Sequence, residues 1–405
     1  MSTPSPADRR RRLSLAVALD GAGWHPGAWR SPHARPDELF TAGYWTDLLA
    51  EAQRGRLDFV TIDDTLGLQS DSPFAADERT DRVRGRLDAV LTAARIAPTS
   101  AGIGIIPTVT TTHTEPFHTS KAIATLDYVS TGRAGVQVRV GGLRGETSLF
   151  GRRHLAEVTP ATLDDPAIAT QIGDLFDEAA DYVEVLRRLW DSWSDDAEIR
   201  DVATGRFVDR DRLHYIDFQG RWFSVKGPSI TPRPPQGQPL VTALAHGTVP
   251  YRLAARQADA VFVTPADDTH ARSILAEIAA ESAAAGRAEP LRVYADLLVV
   301  VDRTVEAAQR RQQQLDVLAG SRLTSDARIV VGTADSLAAE IQALSDVGFD
   351  GVRLRPAELP YDLQRITGDL IPLLQQRGRY PTQYEHGTLR ATLGLDRPAN
   401  RYDAA

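Results

Sequence analysis

The chain has 405 residues, which is long for one domain but ordinary for an α/β barrel whose loops carry insertions. Hydrophobic residues make up 42% and charged residues 25% of it, as in folded globular proteins rather than disordered ones. The net charge of −8 argues against nucleic-acid binding, and the absence of cysteine excludes disulfides, thiolate metal sites and a cysteine nucleophile.

The amino-terminal apolar run, Leu13–Leu19, follows a basic stretch but is too short for a secretory signal, and we predict a buried strand there. No apolar run in the sequence approaches the roughly 20 residues that a membrane-spanning helix needs. We therefore expect a cytoplasmic protein whose partners are small molecules or other subunits, with no membrane and no nucleic acid among them.

Eight short runs of apolar and β-branched residues alternate with helical patterns, which is typical of a parallel sheet with crossover helices. The predicted strands are Leu13–Leu19, Phe59–Asp63, Gly102–Thr110, Gly135–Val140, Leu240–Ala245, Ala260–Thr264, Arg292–Val301 and Gly351–Arg355. The predicted helices are Tyr44–Gly55, Leu87–Ala94, Thr119–Tyr128, Ile172–Trp190, Tyr251–Gln257, Thr269–Ala285, Val305–Leu318 and Ser336–Val347. This pattern predicts an α/β fold, a (β/α)8 TIM barrel.

The longest helical pattern, Ile172–Trp190, places apolar residues at three- and four-residue intervals and is expected to pack on the barrel. Residues 191–238 lack such periodicity, and we interpret them as an insertion between the fourth and fifth strands, with a small hairpin around Tyr215–Val225. Residues 1–405 are thus expected to form a single domain that ends in a C-terminal extension from about 369 to 405.

Functional groups in this fold lie at the carboxyl ends of the strands. The polar groups and glycines there are Asp63–Asp64, Thr110–His113, Gln137–Gly142, Ala245–Thr248, Thr264–Asp267 and Arg355–Pro356. Asp64 is either a site carboxylate or a helix cap, and the three threonines before His113 either bind a polar ring or fill the strand. Arg139 and Arg144 are candidates to meet an anionic group, with a surface ion pair as the alternative.

The segment after the fifth predicted strand runs from loop into helix. We predict that Thr248 caps this helix and that Pro250 lies in its first turn, where free amides form an anion site. His246 is a candidate ligand contact there.

The aromatic residues after the first two strands have two interpretations. Trp24, His25, Trp29 and Phe74 either form an apolar wall of the substrate pocket or only pack. The sequence carries no dinucleotide fingerprint, phosphate loop, HExxH pair or nucleophile elbow, and no metal site is predicted. A cofactor-driven oxidation fits these observations best.

The segment KAIATLDYVSTGRAG, Lys121–Gly135, resembles the luciferase-like flavin monooxygenases, whose pattern A-x-LD-xx-S-x-GR stands at the turn into strand four. Further segments resemble the branch that contains the nitrilotriacetate, long-chain alkane and dibenzothiophene-sulfone monooxygenases. They are HPGAWRSP at His25, LDFVTIDD at Leu57, TTTHTEPFH at Thr110, LWDSW at Leu189, GPSITPRPPQGQP at Gly227, LAARQADAVF at Leu253 and the tail from Asp369 to Leu395. The resemblance covers essentially the whole chain.

The resemblance implies a luciferase-like barrel that uses FMN, delivered as FMNH2 by a separate flavin reductase, and O2 to oxygenate a small organic substrate. The flavin would supply the oxygen chemistry, while the protein orients the ring, holds the phosphate and excludes water. The resemblance also implies a homodimer or higher homo-oligomer, as family members usually form. By the resemblance, Asp64 matches the acid near the flavin and Thr110–Thr112 match a Ser-Thr-Thr run of the family. Together with the strand-end candidates, we predict His113 and Arg139 as catalytic residues, and as cofactor contacts Asp64, Thr110, Thr111, Gln137, Gly141, Phe176, His246, Gly247 and Thr248.

The chain departs from the branch in the expected cofactor pocket. Val136–Gly141 replaces Trp-Asn-x-Val-Thr-Ser, Phe176 replaces a tyrosine, and Leu244–Gly247 replaces Ala-Gly-Ser-Ser. Backbone amides with His246, Thr248 or Arg139 can still hold a phosphate. Two alternatives stay open: a relative that transfers hydride with a reduced deazaflavin, and a non-catalytic accessory subunit that binds flavin.

Overall fold

A computed structural model of the chain describes residues 13–70, 77–142 and 146–403. Its strands are β1 Ser14–Leu19, β2 Phe59–Ile62, β3 Gly104–Thr110, β4 Gly135–Arg139, β5 Glu198–Asp201, β6 Arg206–Val208, β7 Phe218–Gln219, β8 Ser224–Val225, β9 Leu240–Leu244, β10 Ala260–Val263, β11 Arg292–Val301, β12 Arg328–Gly332 and β13 Gly351–Pro356. Strands β1, β2, β3, β4, β9, β10, β11 and β13 pair in parallel in that order, and β13 pairs back to β1. The eight predicted strands are confirmed, and they close the predicted (β/α)8 barrel.

Helices surround this barrel. They are α1 Ala42–Arg54, α2 Ala89–Ile96, α3 Pro116–Val129, α4 Glu146–Phe150, α5 Pro166–Asp191, α6 Thr248–Gln257, α7 Asp268–Ala284, α8 Val305–Ala319, α9 Ala334–Val347, α10 Tyr361–Arg365, α11 Ile371–Gln376 and α12 Leu389–Thr392. The eight predicted helices are confirmed, and α5 buries its predicted apolar stripe. Within the described ranges, no helix is both long and apolar enough to cross a membrane.

Strand β12 is a parallel strand that the sequence analysis missed. The first half of β11 pairs with β10, whereas Leu297–Val301 of β11 pair with β12. Strand β11 has ten residues and β10 has four, so β11 extends past the end of β10. The carboxyl-terminal half of β11 is therefore free to pair with another strand. The run RIVVG of β12 has the composition of a strand, but eight strands already close a barrel, so the local sequence gives no place for a ninth.

Two hairpins lie between β4 and β9. The hairpin of β7 and β8 confirms the one predicted around Tyr215–Val225, whereas the hairpin of β5 and β6 was not predicted. In the latter hairpin Phe207 is exposed, and none of the strand residues is fully buried. Its sequence therefore lacks the apolar alternation from which a strand is recognised.

The amino-terminal end of the barrel is closed by apolar side chains. The rings of Phe59, Phe262 and Tyr294 contact one another there, with centroids 5.5–6.1 Å apart. Leu389 and Leu393 from the C-terminal segment pack against the same cluster. Because the described residues fill this end, we expect a small molecule to enter the barrel from the carboxyl ends of its strands.

The motif of Lys121–Gly135 builds the turn from α3 into β4. The carboxylate of Asp127 accepts hydrogen bonds from the main-chain nitrogen of Ala134 at 3.2 Å and from the side chain of Gln236 at 2.6 Å. The guanidinium of Arg133 is buried and donates to the main-chain carbonyls of Ala97, Ser100 and Ile103 at 2.8–3.1 Å. This motif therefore fixes the start of a barrel strand and lies away from the open end.

Candidate active site

A polar layer lies inside the barrel, above the apolar floor. Arg353 on β13 donates from Nε to Asp296 on β11 at 2.8 Å and from Nη1 to Oε1 of Gln137 at 2.7 Å. The amide nitrogen of Gln137 donates to Oγ1 of Thr108 at 2.9 Å, so both ends of this amide have partners. All four side chains are buried. The predicted cofactor residue Gln137 thus belongs to a hydrogen-bonded layer that forms the base of the open end.

Asp296 is shared between two arginines. Arg355 donates to it from Nε at 2.9 Å, beside the contacts from Arg353. Burial opposes ionisation, but the two guanidinium groups hold the pKa of the Asp296 carboxyl below its ordinary value. Arg355 also donates to Asp326 at 2.7 Å, and Asp326 lies 3.7 Å from Nε2 of His246. Charged groups therefore connect the barrel interior with its rim.

The paired acids at the end of β2 have different partners. Asp63 lies 3.1 Å from Arg86, whereas Asp64 accepts from the main-chain nitrogens of Ala89 at 2.9 Å and Thr65 at 2.7 Å. Asp64 therefore helps to cap α2, as the helix-cap interpretation predicted. Burial raises the pKa of Asp64 to about 6, because the two amide hydrogen bonds only partly offset it. A contact between Asp64 and the cofactor stays a prediction.

The shifted pKa of Asp64 predicts how stability depends on pH. The folded chain binds the proton more tightly than the unfolded chain, since the pKa rises from 3.8 to about 6. This contribution to stability is fully present below the unfolded pKa and is lost as pH rises through about 6. As pH rises from about 4 to 7, the wild-type chain should lose stability as Asp64 ionises. Asp64→Asn has no such group, so its free energy of unfolding should fall by about 1–3 kcal/mol less over the same range. Urea unfolding of both proteins across this range tests this; parallel pH curves would contradict it.

Arg139 lies on the rim of the barrel, next to Asp64. Its side chain is one-fifth exposed and donates from Nη1 to the main-chain carbonyl of Asp64 at 2.8 Å. Nη2 lies 4.0 Å from Glu146, a buried residue that accepts from Oγ1 of Thr65 at 2.7 Å and from the main-chain nitrogen of Gly142 at 3.1 Å. The second arginine candidate, Arg144, lies outside the described residues.

The close packing of Glu146 and Thr110 around position 141 requires a glycine there. A Cβ atom there would lie 2.5 Å from Oε2 of Glu146 and 2.7 Å from Cγ2 of Thr110. We expect Gly141→Ala to lower the free energy of unfolding by about 1–3 kcal/mol, as overpacking does. The control is Gly173→Ala in helix α5, where a Cβ meets no atom within 4 Å; it should be neutral or stabilise by up to about 1 kcal/mol. Equal effects in urea unfolding would contradict the prediction.

The threonine run after β3 mainly joins neighbouring strand ends. Thr111 donates to the carbonyl of Arg139 from its main-chain nitrogen at 2.8 Å and from its hydroxyl at 3.2 Å. Oγ1 of Thr112 accepts from the main-chain nitrogen of Gly141 at 2.9 Å. His113 follows, stacked on Phe150 with ring centroids 4.8 Å apart. Burial lowers the pKa of His113, which favours the neutral imidazole, and its Nε2 is buried without a hydrogen-bond partner in the described part of the chain.

The start of α6 differs from the prediction. Gly247, not Thr248, is the N-cap residue, so the prediction that Thr248 caps the helix is wrong. Thr248 is the first helical residue, and its hydroxyl donates to Glu277 on α7 at 2.5 Å instead. A Cβ at Gly247 would meet no atom within 4 Å, so the space beside this N-cap residue is open. Beside it, Nδ1 of His246 lies 3.0 Å from Oγ1 of Thr264.

The predicted site residues thus fall into groups around one open end of the barrel. Phe176 on α5 packs with Val140 and Leu253 behind the end of β4. The first group contains Asp64, Thr110, Thr111, His113, Arg139 and Gly141; the second contains His246, Gly247 and Thr248; and Gln137 lies below both.

A cavity of about 180 Å³ lies between the segments that follow β1 and β2. Its lining is Asp20, Gly21, Ala22, Gly23, Trp24, His25, Pro26, Trp29, Gln69, Ser70, Arg82, Val83 and Arg86. The position of Trp24, His25 and Trp29 favours the interpretation that they form a wall, while Phe74 lies outside the described residues.

Comparison with known proteins decides the family of this barrel. The family model of the luciferase-like monooxygenases matches residues 23–322. The chain belongs to this family. The N-acetyl-S-(2-succino)cysteine monooxygenase of Bacillus subtilis (strain 168) is 27% identical over 97% of this chain and 99% of that protein. Component A of the nitrilotriacetate monooxygenase of Aminobacter aminovorans is 26% identical over 96% and 98%.

A solved structure shows the same fold. The EDTA monooxygenase from Chelativorans sp. BNC1 matches with a TM-score of 0.79 at 23% identity, covering 96% of this chain and 99% of that one. The resemblance inferred from the motifs is confirmed, as is the enzyme class, a flavin-dependent monooxygenase.

The open end of this luciferase-like monooxygenase has features that fit a flavin mononucleotide. The ten-residue helix α6 begins beside open space at Gly247, and a helix start favours an anion; His246 precedes it. Across the mouth, the partly exposed Arg139 offers hydrogen-bond donors to a polar ring.

Sequence reasoning missed several residues of this site. Asp296 and Arg353 belong to the buried ionic cluster that also contains the predicted strand-end residue Arg355, and Glu146 and Arg86 hold the rim. Asp296 and Arg353 had a signal, because charged residues inside otherwise apolar strands must find buried partners. Glu146 and Arg86 lie in segments without periodicity, and nothing in their local sequence marks them.

Proposed function

We propose that the chain is the oxygenating component of a two-component monooxygenase, which takes FMNH2 from a separate flavin reductase and uses O2 to oxygenate a small organic substrate. In the balanced reaction, one oxygen atom enters the substrate and the other leaves as water, with two electrons and two protons from FMNH2. The observation that carries the proposal is the family match over residues 23–322, on a barrel whose strand ends fit a flavin. The relative named as component A supports a second component.

The roles of the residues follow from their positions. His246 and the amides at Gly247 and Thr248 would hold the phosphate, since the start of α6 favours an anion. Residues of the other groups would surround the ring; they are Asp64, Thr110, Thr111, Gln137, Gly141 and Phe176. The bound reduced flavin supplies the electrons that activate O2.

Two residues would face the reacting atoms. His113 has a lowered pKa, and its buried Nε2 has no hydrogen-bond partner among the described residues, so this nitrogen would donate or accept a proton once a ligand reaches it. Arg139, anchored on the carbonyl of Asp64, offers a fixed positive charge that can stabilise developing negative charge on oxygen. The buried layer around Gln137 keeps water from the inner side of the site.

The test is turnover under 18O2 with FMN, NADH and a flavin reductase, on a substrate panel that includes neutral sulfides, neutral aromatics and polycarboxylates. We expect a product that carries one 18O atom and forms only when O2 and reduced FMN are both present. Turnover without O2, driven by a reduced deazaflavin, would contradict the proposal and establish hydride transfer instead.

A further inference from the structure

Glu146, the first residue of α4, places a buried carboxylate among the residues of the open end. We propose that Glu146 is a positioning residue: its carboxylate anchors α4 to the ends of β2 and β4, and its hydrogen bonds and charge hold Arg139 and His113 in their arrangement. This inference rests on the proposed function, because Arg139 and His113 are the two residues that would face the reacting atoms.

The carboxylate of Glu146 joins two strand ends. Its side chain is 1% exposed, and Oε1 accepts from the hydroxyl of Thr65, which follows β2, at 2.7 Å. Oε2 accepts from the main-chain nitrogen of Gly142, which follows β4, at 3.1 Å. A buried carboxylate is stable only when hydrogen bonds or a cation satisfy it. These two contacts therefore fix the start of α4 against the rim of the barrel.

The space around this carboxylate leaves it little freedom. A Cβ at Gly141 would lie 2.5 Å from Oε2 of Glu146, and a Cβ at Gly67 would lie 3.4 Å from its Cγ. Glutamine has the same shape and can keep both contacts, because its amide oxygen accepts from Gly142 and its amide nitrogen donates to the hydroxyl of Thr65. Glu146→Gln therefore removes the charge and keeps the anchor.

Arg139 is held by Glu146 and by the main chain of Asp64. Its Nη1 donates to the carbonyl of Asp64 at 2.8 Å, and its Nη2 lies 4.0 Å from Oε1 of Glu146. The second distance is that of an ion pair without a hydrogen bond, so the carboxylate attracts the guanidinium and does not use a hydrogen of Nη2. Together the two contacts restrict the rotamers of this long side chain.

The other end of α4 contacts His113. The ring of Phe150 stacks on the imidazole, with centroids 4.8 Å apart and an interplanar angle of 5°. Helix α4 has five residues, so its first and last residues are only about 6 Å apart along the axis. An anchor at Glu146 therefore also fixes the ring on which His113 stacks.

The charge of Glu146 also acts on the imidazole. Burial lowers the pKa of His113, Glu146 raises it, Arg153 lowers it and Glu178 raises it. Among these charged neighbours Glu146 has the largest effect. Removing its negative charge should therefore move the titration of His113 to lower pH.

The first experiment follows the Cε1–H signal of His113 by NMR in the flavin-free full-length chain, with His113→Gln to assign it. Stacking on Phe150 should displace this signal by the ring current, and Phe150→Leu should remove that displacement. Glu146→Ala removes the anchor and should reduce the displacement, whereas Glu146→Gln should keep it. Thr65→Val should reduce it in part and serves as the second variant if Glu146→Ala fails to fold. An unchanged signal in both Glu146→Ala and Thr65→Val overturns the proposal.

The second experiment tests the charge with the same samples. Glu146→Gln should lower the pH midpoint of the His113 titration and should lower the heteronuclear NOE of the Nε–H group of Arg139, because the ion pair is lost. The matched control is Glu157→Gln, at an exposed acid, which should change neither. If Glu146→Gln leaves both the midpoint and the NOE at their wild-type values, the proposed role of the charge is overturned.

These measurements contain no flavin, so they separate this inference from the proposed function. A chain that shows the expected changes at His113 and Arg139 but fails to bind FMNH2 would contradict only the monooxygenase proposal. A chain that binds FMNH2 and consumes O2, but in which the Glu146 variants leave both residues unchanged, would contradict only the positioning role.

Discussion

Replacing Asp296 by asparagine is expected to lower the free energy of unfolding by about 3–5 kcal/mol, the usual cost of leaving a buried charge uncompensated. Asp296 is the buried carboxylate between Arg353 and Arg355, both of which are also buried. Without its charge, two guanidinium groups would face each other in the barrel, and their other hydrogen-bond partners include Gln137, Thr61 and the half-exposed Asp326. Urea unfolding followed by circular dichroism measures the effect.

The matched control is Asp326→Asn, which removes the other carboxylate on Arg355. Asp326 is about half exposed, so water can replace it and the expected loss is at most about 1 kcal/mol. If both variants lower the free energy of unfolding by the same amount, the buried pairing of Asp296 with the two arginines does not stabilise the fold more than the exposed pair does.

Arg133→Lys is expected to lower the free energy of unfolding by about 2–4 kcal/mol. The planar guanidinium reaches three main-chain carbonyls and the hydroxyl of Ser100 at 2.8–3.1 Å. An ammonium group is a compact donor that cannot span these acceptors, so buried carbonyls would be left without partners. Guanidinium chloride unfolding gives the size of the loss.

A control for this variant is Arg152→Lys, at an exposed pair with Glu115 whose side chains are 69% and 61% exposed. That change should cost less than about 0.5 kcal/mol. A loss of similar size in both variants would show that Arg133 acts only through its charge, contrary to the role of the motif as the turn into β4.

Most of the barrel could be predicted from sequence because strands covered on both faces are continuous apolar runs. Runs such as VVV at the end of β11 identify strands without knowledge of their neighbours. Strand β12 was missed because its place depends on β11 extending past β10, which is a property of strand pairing rather than of local sequence. The hairpin of β5 and β6 could not be predicted because it buries few apolar side chains.

The site was predictable in its position and less so in its contacts. The fold places strand ends at one mouth, so the residues near Asp64, Arg139 and His246 could be chosen from the sequence. Which atoms each side chain meets depends on register: Arg353 reaches Gln137 across the barrel, 216 positions away in the chain. The hydroxyl of Thr248 meets Glu277 on a neighbouring helix, so a cap expected from local sequence is absent.

The proposed binding of reduced FMN at this open end is tested by anaerobic titration of the purified chain with FMNH2. Oxidised FMN and a reduced deazaflavin are titrated in parallel, and binding is followed by the absorbance and fluorescence of each cofactor. We expect saturable, one-to-one binding of FMNH2, weaker when His246 is replaced by alanine. Failure of FMNH2 to bind, or binding of the reduced deazaflavin alone, would contradict it.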